Sequence, residues 1–259
     1  MITPLAENIV AIWARAGRLI ADAEALLTVV AWRDLPAGLR IIDCAGGWLA
    51  GGSIGSGHNL ARAHGCRPGT VAVMVAAEHR LRRLLEAWPD DQAAAIAEAA
   101  LGLELTAAHE LTHALLADPD PELQAGEADT LRRLPAAVAE PRPTPADRTA
   151  RAHGAAWAAG LVILGERCRR YRPGARDRWP VLIADDLEAV GIDAEAVARA
   201  VGDVGDELPL RALLAPGGGI LERVAEVIPC EAERARLIAQ AQAAGSGHVA
   251  PAAARVPLD

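Results

Sequence analysis

The sequence predicts an α+β fold, a small sheet followed by a mostly helical remainder, from three observations. Short β-like runs are confined to the first third of the chain. From residue 76 onward apolar residues recur mainly at helical spacing. No fixed-period repeat interrupts that order, and strands followed by a run of helices are the mark of an α+β domain. With 259 residues and 52 % hydrophobic content there is ample material for a buried core.

The elements follow in chain order. Residues 5–28 place Ile9, Ile12, Trp13, Leu19, Ile20, Ala23 and Leu26 on one helical face. β-Like runs are expected at Thr28–Trp32 and Leu39–Asp43, and the glycine-rich stretch from Gly46 to Gly57 reads as loop. Val71–Val75, introduced by Pro68-Gly69, reads as a buried strand. Helices are then expected over 77–88, 90–101 and 104–117, with breaks near Pro89 and Gly102, and another from Pro121 to Arg133. Prolines at 135, 141, 143 and 145 mark a linker or surface insert, followed by one long apolar helix over 147–170. The stretch 181–243 alternates short helices with breaks at Gly191, Pro209 and Pro216–Gly219. The expected organisation is a core over 1–170 with its Pro-rich insert near 135–145, a helical C-terminal extension over 171–244, and a disordered tail over 245–259.

Composition removes whole classes of chemistry. The chain has 59 alanines, three serines (Ser53, Ser56, Ser246) and no lysine, so all 26 basic residues are arginine. A Walker A lysine, a Schiff base and a lysine general base are therefore excluded. The net charge of −8 argues against a surface that embraces nucleic acid as a whole. No apolar run approaches the roughly 20 residues of a membrane span, and no secretory leader pattern opens the chain. Four scattered cysteines without a C-x-x-C pair (Cys44, Cys66, Cys168, Cys230) read as reduced thiols, so the expected location is cytoplasmic. The sequence sets no oligomeric state.

The informative stretch is Thr106-Ala-Ala-His109-Glu110-Leu-Thr-His113-Ala-Leu-Leu. Residues four apart share a helix face, so His109 and His113 can hold one Zn²⁺, with Glu110 one position round to take a proton from a metal-bound water. The bland alternative is a polar helix edge with two satisfied histidines. The flanking residues are uncharged and carry no proline, which favours the metal reading.

This His-Glu-x-x-His helix resembles that of zincin metallopeptidases. The resemblance implies a zincin-like core (small sheet plus active-site helix), Zn²⁺ as cofactor, a protein or peptide substrate, and Glu110 as the catalytic base. The metzincin extension is absent, with Leu116 at its Gly position and Pro119 at its third-His position, and so is the thermolysin Asn-Glu-x-x-x-Asp pattern. Two candidates for third ligand remain. His153, in His153-Gly154-Ala-Ala-Trp157, resembles the His-Gly-x-x-Trp signature of SprT-like metalloproteases, although 39 residues separate it from His113. Glu127, in Gly126-Glu127-Ala-Asp129, resembles the gluzincin arrangement of ImmA/IrrE-type peptidases across a 13-residue gap. His153 is favoured.

Three other readings stand beside this one. The zinc site could be structural, closed by Glu127 and His153 together. The arginine-dense segment from Arg167 to Arg178, with Arg167, Arg169, Arg170 and Arg172, could grip nucleic acid, as in a DNA-associated or regulatory protease; pairing with Asp185 and Asp186 is its plainer explanation. Gly51-Gly-Ser53-Ile-Gly55 formally fits a serine nucleophile elbow but is followed by polar, glycine-rich sequence rather than a buried helix. His58, His64 and Cys66 are metal-ligating types without a standard spacing. His79 and His248 read as surface residues.

Overall fold

In the computed structural model, the described residues are 4–44, 56–57, 61, 64–116, 144–172, 178–205 and 208–245. Helix α1 (Pro4–Val30) leads to strand β1 (Leu39–Asp43), the short β2 (Ser56–Gly57) and β3 (Val71–Val75). Helices α2 (Ala77–Ala87) and α3 (Gln92–Leu116) follow, then α4 (Pro145–Ala152) and α5 (Ala155–Tyr171). The chain ends in α6 (Arg178–Ala189), α7 (Ala194–Val201), α8 (Leu210–Leu213), α9 (Ile220–Val227) and α10 (Glu231–Gly245).

The sheet has the order β1-β3-β2. β1 and β3 are parallel, with Leu39 opposite Val71 and Asp43 opposite Val75, while β2 is antiparallel to β3. β3 is the central strand, and its continuous apolar run suits burial on both faces. Gly69 at φ +85° makes the turn before it, as Pro68-Gly69 suggested. The outer edge of β1 is met by α1, where Glu24 Oε2 accepts from Ile41 N at 2.8 Å. At the other end Asp43 accepts from the first backbone N–H groups of α2, Ala77 at 3.0 Å and Glu78 at 3.3 Å.

Three sequence expectations need correction. Thr28–Trp32 is not a strand. α1 continues to Val30 because Leu26, Leu27, Val30 and Ala31 hold their helical spacing against the core, and the β-branched residues there follow packing rather than propensity. Gly102 does not break a helix either: α3 runs unbroken through it, and the Arg80 guanidinium fills the space where a Cβ would lie. The expected single helix over 147–170 is two, parted at His153 and Gly154. α4 starts from a capping box, in which Asp147 N donates to Thr144 Oγ1 at 3.1 Å and Thr144 N donates to Asp147 Oδ2 at 2.7 Å. The C-terminal breaks at Gly191, Pro209 and 216–219 fall where expected. Gly245 ends α10 rather than opening the tail, and the rest of the tail, the Pro-rich insert up to 143 and the helix expected over 121–133 lie outside the described residues.

One hydrophobic cluster runs from Ala16 to Ile238, so residues on both sides of position 170 share a core. Arg167 lies within it at 2 % exposure, donating to Leu208 O at 2.7 Å and Val30 O at 3.4 Å, with Asp34 at 3.8 Å. Asp34 in turn accepts from Leu210 N at 2.7 Å. α5 meets α3 closely at Gly160, where a Cβ would stand 2.8 Å from Thr112 Cγ2 and 2.9 Å from Leu116 Cδ1. No helix among the described residues is long and apolar enough to cross a membrane.

Glu104, on α3, is buried and paired with Arg172 at 2.5 Å. Burial pushes its carboxyl up to about 7, against the opposing pull of Arg172. A carboxyl with a raised folded pKa contributes stability that is complete below its unfolded pKa and is lost as pH rises through the folded value. Glu104→Gln should therefore flatten the decline in melting temperature between about pH 5 and pH 8. Equal declines in both proteins, measured by thermal denaturation, would refute this.

Candidate metal centre

The core of the site is built by α3. Its start is fixed by Asp91, whose Oδ1 accepts from Ala94 N at 2.9 Å, and its alanine-rich sequence favours the helix throughout. At its far end Arg211 Nε donates to Leu115 O at 2.6 Å, satisfying a terminal carbonyl one turn from the ligands. His109 and His113 therefore project from one rigid face. His153 arrives from the junction of α4 and α5, where φ −115° and ψ 61° end the first helix.

The three Nε2 atoms form a nearly equilateral triangle, 3.3 Å from His109 to His113, 3.3 Å from His113 to His153 and 3.2 Å from His153 to His109. Zn–N bonds of about 2.0–2.1 Å at tetrahedral angles put nitrogens about 3.3–3.4 Å apart, so the triangle has the dimensions of one face of such a site. The other ring nitrogens fix the tautomers. His153 Nδ1 donates to Thr149 O at 2.6 Å, because a carbonyl can only accept. His109 Nδ1 lies 2.7 Å from Asp186 Oδ2, the carboxylate–histidine pairing that commonly backs a metal ligand. Both rings therefore turn the lone pair of Nε2 toward the common point when neutral. Burial, followed by the proximity of His109 and His153, brings His113 down to about 3, so it too is the free base. Burial likewise lowers His153. With His113 Nε2 also unprotonated, three lone pairs would face one point, an arrangement that a bound cation relieves. These three histidines could hold a metal ion, and no other group of metal-ligating side chains is so arranged among the described residues.

Trp157 forms the floor. It is 3 % exposed, its ring meets His153 edge-on at 4.4 Å and His109 at 4.8 Å, and it stacks on His113 at 5.6 Å. At Gly154 a Cβ would meet nothing within 4 Å, so no close approach demands glycine there. The mouth of the site is accessible, with the side chain of His109 19 % exposed and that of Asp186 24 % exposed.

Glu110 is 9 % exposed. Burial raises it to about 7; the negative charge of Asp186 adds to this and His109 opposes it. It is a carboxyl of raised basicity one position from the first ligand histidine.

Glu127, Ser53 and His58 lie outside the described residues. His64 and Cys66 join no metal-ligating cluster among those described. Of the arginines singled out, Arg167 is a core residue rather than a surface contact. Arg169 pairs with Glu166 at 2.6 Å, Arg170 with Glu166 and Asp203, and Arg172 with Glu104. Asp186 does not pair with this segment but backs His109, a role that sequence reading missed. Comparison with protein-family models, curated proteins and solved structures finds no match to this chain.

The triad predicts a metal content close to one equivalent per chain by plasma mass spectrometry. His113→Ala should abolish it. Asp186→Ala should weaken metal affinity about 10–100-fold by removing the acceptor that orients His109. An Asp186→Ala protein with unchanged affinity in a chelator competition would rule that orienting role out.

Proposed function

We propose that the protein is a zinc-dependent metallopeptidase in which His109, His113 and His153 hold the metal and Glu110 is the general base. The observation that carries this reading is a three-imidazole face with a buried carboxyl, that of Glu110, one residue from the first ligand. Imidazole ligands suit zinc, and a set of three histidines is one that catalytic zinc sites use.

Zinc in this position supplies a water of lowered pKa and an electrophile for the scissile carbonyl oxygen. The chain's own contribution is proton handling and alignment. Glu110 is made basic by burial, accepts a proton from the attacking water and returns it to the leaving amine. Asp186 and the Thr149 carbonyl hold His109 and His153 as Nδ1–H tautomers, so neither ring competes for that proton. Trp157 keeps the inner side of the cluster free of water. The substrate is a peptide bond presented at the exposed side of His109.

Glu110→Gln should keep the metal and lose peptide hydrolysis by about 10²–10⁴-fold, the usual contribution of a positioned base. His113→Ala should lose both. The measurement is cleavage of a mixed peptide library by the zinc-loaded protein, read by mass spectrometry beside metal content. Undiminished cleavage by Glu110→Gln would defeat the assignment, and bound metal without cleavage by the wild type would favour a structural zinc.

A further inference from the structure

The third ligand comes from a helix that α3 does not hold. α4 packs chiefly against α10, the last helix among the described residues. The contact is centred on Arg234, which is only 6 % exposed. Its Nη2 donates to Ala150 O at 2.7 Å and its Nη1 to Pro229 O at 2.5 Å. Ala150 belongs to the last turn of α4, where carbonyls have no donor within the helix and a cation is favoured. The preceding carbonyl, that of Thr149, accepts Nδ1–H of His153. Two successive carbonyls of one turn are thus held by the arginine and by the ligand itself.

We infer that Arg234 is a positioning residue for the metal centre: from α10 it fixes the last turn of α4, and through Thr149 O it fixes the direction in which His153 Nε2 points. The inference rests on the metal reading of the triad. Metal–nitrogen bonds tolerate deviations of only about 0.2 Å, so a small rotation of this turn suffices to weaken the third bond. Arginine suits the task because its planar fork reaches two acceptors at once, which a lysine ammonium on a flexible stem does not reproduce. The same two helices also carry an exposed pair, Arg151 to Glu231 at 2.9 Å, with side chains 65 % and 50 % exposed. A pair so solvated adds little, and it touches neither carbonyl. It provides the control.

The test uses the full chain loaded with Co²⁺, whose visible absorption reports coordination geometry, together with metal affinity from chelator competition. Arg234→Met should weaken affinity about tenfold or more and diminish the tetrahedral-type absorption. Arg234→Lys should fall between Met and wild type, and Arg151→Ala should match wild type in both readouts. A folded Arg234→Met protein with wild-type affinity and spectrum overturns the inference. So does an equal loss in Arg151→Ala, which would mean that loosening α10 in any way has the same effect. If Arg234→Met does not fold, Arg234→Lys decides: wild-type binding and spectrum overturn the inference, and weakened binding supports it. Failure of the metal reading is a separate result, because wild-type protein would then take up no cobalt.

Discussion

Three imidazole nitrogens within 3.3 Å of one another form a face that could hold a metal ion. Much of the architecture around them serves to keep that arrangement in place. α3 stays helical through Gly102, so His109 and His113 keep their four-residue spacing on a rigid face. α5 approaches α3 closely at Gly160, which brings Trp157, one turn earlier, beneath the rings. The break between α4 and α5 frees His153 from helical geometry and lets its Nδ1–H close on Thr149 O.

The lysine-free composition takes on a physical meaning inside this fold. Arginines join elements distant in sequence by donating to backbone carbonyls: buried Arg167 ties α5 to the end of α1 and to Leu208, exposed Arg211 meets the end of α3, and buried Arg234 joins α10 to α4. A guanidinium does this well because its donors are fixed in a plane and its charge is weakly hydrated. Much of the arginine density that looked like a surface feature in the linear sequence is therefore internal or paired. Arg211, Arg234 and Asp186 all lie beyond residue 170, so the C-terminal helices take part in building the site rather than merely following it.

What could be read from the sequence, and what could not, follows the range of the interactions. His109 and His113 were legible because helical spacing is a local property, and His153 because a short motif surrounds it. β1 and β3 were legible from apolar runs bounded by turn residues. Asp186 was not: its partner is 77 positions away, and nothing in its own neighbourhood distinguishes it from Asp185. The helix break at His153 was hidden for a similar reason, since the flanking alanines favour continuation. Thr28–Trp32 was misread because β-branched residues signal strands locally, while here the core face of α1 decides.

The placement of the third histidine also bears on folding. His113 and His153 are 40 positions apart in the chain, and a shared metal would join them as a covalent bridge does. In the chain-entropy treatment of cross-links, closing a loop of that length removes about 4 kcal/mol of freedom from the unfolded chain. A metal ion held there would act as a reversible staple, tying His153 to α3. Chelation would release it.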